Sequence, residues 1–132
     1  MSVLILVVDD EADMEALFRQ QFRRELKAGR FDMAFATSAL EALAAIEAAG
    51  GTDLILLLSD INMPGMTGLE LLPKVKAMHP KLPVIMITAY GDAETRRKAA
   101  EGGADGLMSK PLDFAVLRAD IDRRLDAHGV HA

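Results

Sequence analysis

Five short apolar runs, each followed by a longer stretch of helical spacing, constrain the fold of this chain more than any other feature. The runs are Leu4 to Val8, Met33 to Ala36, Leu54 to Ser59, Val84 to Thr88 and Leu107 to Ser109. Four carry almost no polar residue on either face, a pattern suited to strands that helices cover on both sides. Strand and helix signals alternating in this way predict successive βα units: an α/β architecture with a doubly wound, five-stranded parallel sheet. The Met33 to Ala36 run reads weakest and is predicted near an edge.

Between the runs, Met14, Leu17, Phe18, Phe22 and Leu26 recur at helical spacing, as do Leu40, Leu43 and Ile46, and later Leu117, Ile121 and Leu125. Each set predicts one helix with one buried stripe. Ser38 followed by Glu41 reads as a capping box, and Asp113 as the cap of the last helix. Gly29, Gly50 with Gly51, and Gly102 with Gly103 mark helix ends. A helix near Thr67 to Met78 contains Pro73, which removes a backbone hydrogen bond and is expected to kink the helix or shorten its first turns. The stretch Ala93 to Glu101 offers only Ala93, Ala99 and Ala100 as apolar anchors, so little burial holds it and it is a candidate for motion.

Composition narrows the function. The 132 residues suit one compact domain. The absence of cysteine excludes a disulfide framework and a thiolate metal site. Fifteen Lys and Arg against twenty Asp and Glu leave a net charge of −5, the wrong sign for binding nucleic acid through its phosphates. The longest apolar runs fall far short of the roughly 20 residues of a membrane-spanning helix, and Asp9 and Asp10 directly after the first run do not suit a signal peptide. No membrane span is expected, and the expected compartment is the cytoplasm. His79, His128 and His131 read as solvated surface residues without a role.

In an open parallel sheet, ligands bind beyond the carboxyl ends of the strands, where the strand order reverses. The first predicted strand ends in Asp9 and Asp10, followed by Glu11; the third ends in Asp60, the fourth in Thr88, and the fifth in Lys110 with Pro111 behind it. Each has an ordinary reading alone: an aspartate pair as a helix cap, Thr88 as β-branched packing, Lys-Pro as a turn. Together they bring three carboxylates, a hydroxyl and an ammonium to one edge. Clustered carboxylates raise one another's pKa unless a cation sits among them, and an all-oxygen set suits Mg²⁺. A metal and an ammonium that neutralise phosphoryl oxygens would let an aspartate attack phosphorus. That reading assigns Asp60, the most central acid, as nucleophile and lets the Thr88 hydroxyl donate to a phosphoryl oxygen. The loop 61–68, with Pro64, Gly65 and Gly68, is expected to point backbone N–H groups at an anion.

The segments VVDDE (7–11), LLLSDINMPGMTGLELL (56–72), VIMITAYGD (84–92) and GADGLMSKPLD (103–113) resemble the receiver domain of two-component response regulators. The resemblance spans essentially the whole chain. It implies a flavodoxin-like (βα)5 fold with strand order 2-1-3-4-5, a receiver domain over 1–127 and a short tail over 128–132. Carried over position by position, it implies that Asp9 and Asp10 are the metal-binding acids, with Asp10 a direct ligand, and that the backbone carbonyl of Asn62 completes the Mg²⁺ site. Asp60 matches the phosphoacceptor, Thr88 the switch hydroxyl, Lys110 the phosphate-binding lysine and Pro111 the proline after a cis peptide. The implied donor is a sensor histidine kinase or a histidine phosphotransfer protein, and the chain itself would catalyse the transfer and hydrolyse its own acyl phosphate. A downstream protein target and a homodimer are further partners that the family makes with the face near Ala93 to Arg124.

Two positions depart from the family pattern. Leu107 stands where the family usually has Tyr or Phe on the last strand, and it has no ring to turn inward when the threonine moves. Tyr90, two residues beyond Thr88, is a candidate to cover the site and slow attack by water; an aromatic partly exposed in a loop is the other reading. The second departure is Pro73, expected to matter only structurally. On the first helix, Arg19, Arg23, Arg24 and Lys27, with Gln20 and Gln21 between them, read either as a solvated face or as a docking surface. Two rival functions fit parts of the same pattern. A pseudo-receiver, a binding module that keeps the fold without phosphorylation, is disfavoured by the complete set of acids, hydroxyl and lysine. A haloacid-dehalogenase-like phosphatase would need a D-x-D pattern after the first strand, and Asp9, Asp10 and Glu11 do not give it.

Overall fold

The computed structural model describes residues 3–49, 53–89 and 91–129. Five parallel strands, β1 (Val3–Val8), β2 (Asp32–Ala36), β3 (Asp53–Asp60), β4 (Val84–Thr88) and β5 (Gly106–Ser109), form one sheet in the order β2-β1-β3-β4-β5. Among the described residues, α1 (Asp13–Gln21), α2 (Arg23–Lys27), α3 (Ala39–Ala49), α4 (Gly68–Met78) and α5 (Ala93–Glu101) connect them, and α6 (Phe114–Ala127) follows β5. The expected doubly wound α/β fold is present, and β2 is an edge strand as its weak pattern predicted. The order reverses between β1 and β3, so a crevice opens beyond their carboxyl ends. None of the described helices is long and apolar enough to cross a membrane.

Strand side chains alternate between two cores. Leu6 and Val8 face one side with Ala42 and Ile46 of α3, Leu71, Leu72 and Val75 of α4, and Ala99 of α5. Ile5 and Val7 face the other with Phe18 of α1, Phe22, and Leu117, Ile121 and Leu125 of α6. Burying each of these large side chains is worth about 1.5–3 kcal/mol. In β3 the alternation slips: Ile55 and Leu56 face the same core, where the β1–β3 pairing shifts by one residue between Leu4 and Ile5. This is a bulge, and it sets which faces the residues approaching Asp60 present.

Three helical expectations need correction. The single first helix is two, broken at Phe22, whose φ of −108° and ψ of 23° leave the helical region. Its ring is fully buried against Phe18, Phe31 and Phe114, so aromatic packing holds the backbone there. Leu17 and Leu40 lie outside the buried stripes, Leu40 at 69% exposure, because Ala39, Ala42 and Ile46 supply the inner face of α3. Pro73 does not shorten α4, which starts at Gly68 and runs unbroken to Met78. Its first turn is held by a full capping box, with Thr67 accepting from the Glu70 N–H and Glu70 accepting from the Thr67 N–H.

Other end signals hold. Ser38 accepts from the Glu41 N–H, while the Glu41 side chain reaches back to Thr37 rather than Ser38. Asp113 caps α6, and Gly29 and Gly103 take positive φ. Gly50 and Gly51 lie outside the described residues. Helix α5 spans the expected Ala93–Glu101 and buries Ala99 alone.

The α2–α6 contact contains a partly buried ion pair, Arg118 Nε to Glu25 Oε2 at 2.8 Å. Burial raises the Glu25 carboxyl, but the hydrogen bond and charge of Arg118 and the charge of Arg30 outweigh it, leaving the pKa below the ordinary 4.5. A carboxylate lowered by folding contributes stability above its unfolded value and loses it as the pH falls through the folded one. Urea unfolding of Glu25→Gln at neutral pH is expected to show a loss of about 0.5–1 kcal/mol that disappears below that range. A difference that persists in acid would contradict this assignment.

Candidate functional site

The site is assembled by where strands stop. Asp9 directly follows β1, and its N–H donates to Ala36 O at 3.0 Å, which continues the pairing with β2. Asp60 is the last residue of β3, and the next N–H, of Ile61, donates to Ile87 O at 2.9 Å. Thr88 ends β4, and its carbonyl accepts from the Lys110 N–H at 2.8 Å. Asp9, Asp60 and Thr88 are 5%, 2% and 1% exposed, whereas Asp10 is open to solvent. The Lys110–Pro111 peptide is cis, as the resemblance implied.

Sheet pairing thus brings together the acids that the sequence singled out. Asp9, Asp10 and Asp60 each offer a carboxylate oxygen, and these oxygens lie within 4.8 Å of one another. Lys110 Nζ is 3.2 Å from Asp60 Oδ2 and 3.4 Å from Asp9 Oδ2. Asn62 joins two more parts of the set: its N–H donates to Asp60 Oδ1 at 3.2 Å, and its side-chain amide donates to Thr88 Oγ1 at 3.4 Å. The helix-cap reading of the aspartate pair does not hold, since α1 begins at Asp13 and is capped by Ala12, with no side-chain hydrogen bond at the cap. Asp9 Oδ1 instead accepts from the Glu11 N–H at 2.9 Å.

Electrostatics give the cluster its character. Burial raises the Asp60 carboxyl, the Asp9 charge raises it further, and Lys110 with the Asn62 N–H offsets only part, so its pKa stands above the ordinary value. For Lys110, burial pulls the pKa down, but the hydrogen bond to Asp60 and the charges of Asp60 and Asp9 more than reverse this. Three carboxylates against one ammonium leave an excess of two negative charges. Asp9 Oδ2 is buried and, short of a full hydrogen bond, has only the 3.4 Å ion pair with Lys110, which that ammonium shares with Asp60. An all-oxygen donor set with a spare charge of two fits a hard divalent cation.

Other expectations are altered. The Gly68 N–H donates to Ile61 O at 2.9 Å and so does not face an anion, whereas the Asn62 N–H does point into the site, at Asp60 Oδ1. Gly68 is needed for space, because a Cβ there would stand 2.3 Å from Asp60 O. Leu107 is partly buried, packed against the α3–α4–α5 core. Tyr90 lies outside the described residues. Sequence reasoning noted Glu11 without giving it a role, and its Oε1 lies 3.8 Å from Lys110 Nζ; it missed the buried Ser59 hydroxyl, which donates to Asp60 O at 3.0 Å. A lone serine within an apolar strand was the available signal for the second.

The comparisons agree with this geometry. A family model described as the response regulator receiver domain matches residues 5–122. A cyclic di-GMP phosphodiesterase of Thermotoga maritima is 34% identical over 125 residues, covering 95% of this chain and 31% of that protein. The C4-dicarboxylate transport transcriptional regulatory protein DctD of Rhizobium meliloti is 35% identical over 128 residues, 92% of this chain and 26% of its own length. The chain thus spans about a third or less of these curated relatives. A CheY-like response regulator receiver domain protein from Methanospirillum hungatei superposes with a TM-score of 0.82 at 31% identity, covering 96% of both chains. With every residue of the strand-end site inside the matched segment, the chain belongs to the receiver domain family of two-component response regulators.

Proposed function

We propose that the chain accepts a phosphoryl group on Asp60 from the phosphohistidine of a sensor histidine kinase or histidine phosphotransfer protein, and signals through the change that follows. The observation that carries this reading is the buried Asp60 carboxylate, raised in basicity and held by Lys110 and the Asn62 N–H at the edge of the sheet.

In the proposed reaction, an Asp60 carboxylate oxygen attacks phosphorus, the bond from phosphorus to the donor's imidazole nitrogen breaks, and the electron pair leaves with that nitrogen. Raised basicity makes Asp60 a better nucleophile than an exposed aspartate. Lys110, already paired with Asp60, neutralises charge on the phosphoryl oxygens, and the Thr88 hydroxyl donates to one of them. Asp9, Asp10, Asp60 and the backbone carbonyl of Asn62 would hold Mg²⁺, which when bound supplies positive charge against the same oxygens. Movement of Thr88 towards the phosphoryl group would release the Asn62 amide. Its effect would pass to α5, which has a single buried side chain to resist displacement, and on to a downstream protein partner. Because Leu107 already packs inward, the readout would not need a swinging ring.

Intact mass spectrometry after incubation with acetyl phosphate tests the reading. One added phosphoryl group is expected in the parent with Mg²⁺, and none in Asp60→Asn or after chelation. Lys110→Met is expected to slow labelling by about 10²-fold; labelling at the parent rate would remove Lys110 from the chemistry. Calorimetric titration with Mg²⁺ should give affinity at least about tenfold weaker in Asp10→Asn, an exposed substitution that leaves the core intact. Equal affinity would mean that Asp10 is no ligand.

A further inference from the structure

The arginines of the α1–α2 segment are not absorbed by the phosphoryl chemistry. A groove of about 690 Å³ lies between this segment and α6, and Arg23, Arg24, Arg30 and Arg118 line it against one acid, Glu25. Arg118 is engaged with Glu25 and with the Gln21 carbonyl, and Arg30 Nη1 with Asp122 at 3.1 Å. Arg23 and Arg24 are exposed, and their guanidinium groups make no ion pair or hydrogen bond among the described residues. The Nε–H of Arg30 is buried and has no acceptor. In a chain of net charge −5, the groove gathers cationic donors that the protein itself leaves unmatched.

Its position separates it from the acidic site. Helix α1 starts beside the carboxyl ends of the strands and runs back along the sheet, and Arg30 stands two residues before β2. The groove therefore lies towards the amino-terminal ends of the strands, opposite Asp60.

We infer that this groove is a second binding site, for a carboxylate-rich segment of a partner protein. Arginine forks pair with carboxylates in two parallel hydrogen bonds, and Arg23 and Arg24 are free to do so. Gln20 and Gln21, also in the lining, carry amides that can bond a peptide backbone, which a simple anion lacks. The groove is open along the surface, which suits an extended or helical segment better than a small ligand needing enclosure on most sides. The site does not depend on the proposed phosphorylation.

Fluorescence anisotropy with a fluorescein-labelled hexaglutamate peptide, at low salt on the full chain, tests this. The parent is expected to bind saturably. Arg23→Gln/Arg24→Gln should bind about tenfold or more weakly while keeping the parent's circular dichroism and melting temperature. Arg97→Gln, on α5, should bind as the parent does. Unlabelled hexaglutamate should displace the probe at concentrations where inorganic phosphate and phosphatidylserine vesicles do not. Absence of saturable binding, equal affinity in the double variant, an equal loss in Arg97→Gln, or displacement by phosphate or vesicles as effective as by peptide would each overturn the inference.

Discussion

Two buried carboxylates at the ends of neighbouring strands, Asp9 and Asp60, are the constraint around which the rest of the molecule is arranged. Burial and the Asp9 charge both oppose ionisation of Asp60. The fold counters with one ammonium, Lys110, within 3.4 Å of each, and with backbone N–H donors from Glu11 and Asn62. That compensation is incomplete, as the raised Asp60 pKa shows. Such a site has a standing electrostatic preference for a cation, and a basic carboxylate aimed at whatever electrophile arrives.

The sheet makes this arrangement affordable. Lys110 and Asp60 are 50 residues apart in sequence and meet because β3, β4 and β5 are consecutive parallel strands stopping at one edge. The two halves of the covering are unequal. On the α1–α6 side, Phe18, Phe22, Phe31 and Phe114 interlock with the strands. On the other side α5 contributes Ala99 alone. Local opening free energy follows buried apolar contact, so displacement at the site has an easy direction, towards α5, and a resistant one, towards α1. A second binding site on the resistant side would be insulated from that displacement.

Legibility in the sequence follows the same physics. Strands covered on both faces appear as unbroken apolar runs, which is why all five were locatable and Asp60 could be recognised as a strand end. The same uniformity hides register: Ile55 and Leu56 are equally apolar, so nothing announces the bulge between them. The break at Phe22 has no glycine or proline to signal it, because tertiary packing of a ring causes it. Leu40 looked like a core residue and is not, since the smaller Ala39 and Ala42 let α3 approach the sheet. At the site, the residues with charge or hydroxyl were readable, whereas the demand for Gly68 arises only when its backbone lies against Asp60 O.

The central claim is that Asp60, and no neighbouring acid, takes the phosphoryl group. Borohydride reduces an aspartyl phosphate to homoserine, so the most direct measurement is peptide sequencing by mass spectrometry after phosphorylation and reduction. The account predicts homoserine at position 60 alone, formed only when Mg²⁺ was present. Homoserine at Asp9 or Asp10, or at no position in a protein shown to be folded and also challenged with a phosphohistidine donor, would contradict it.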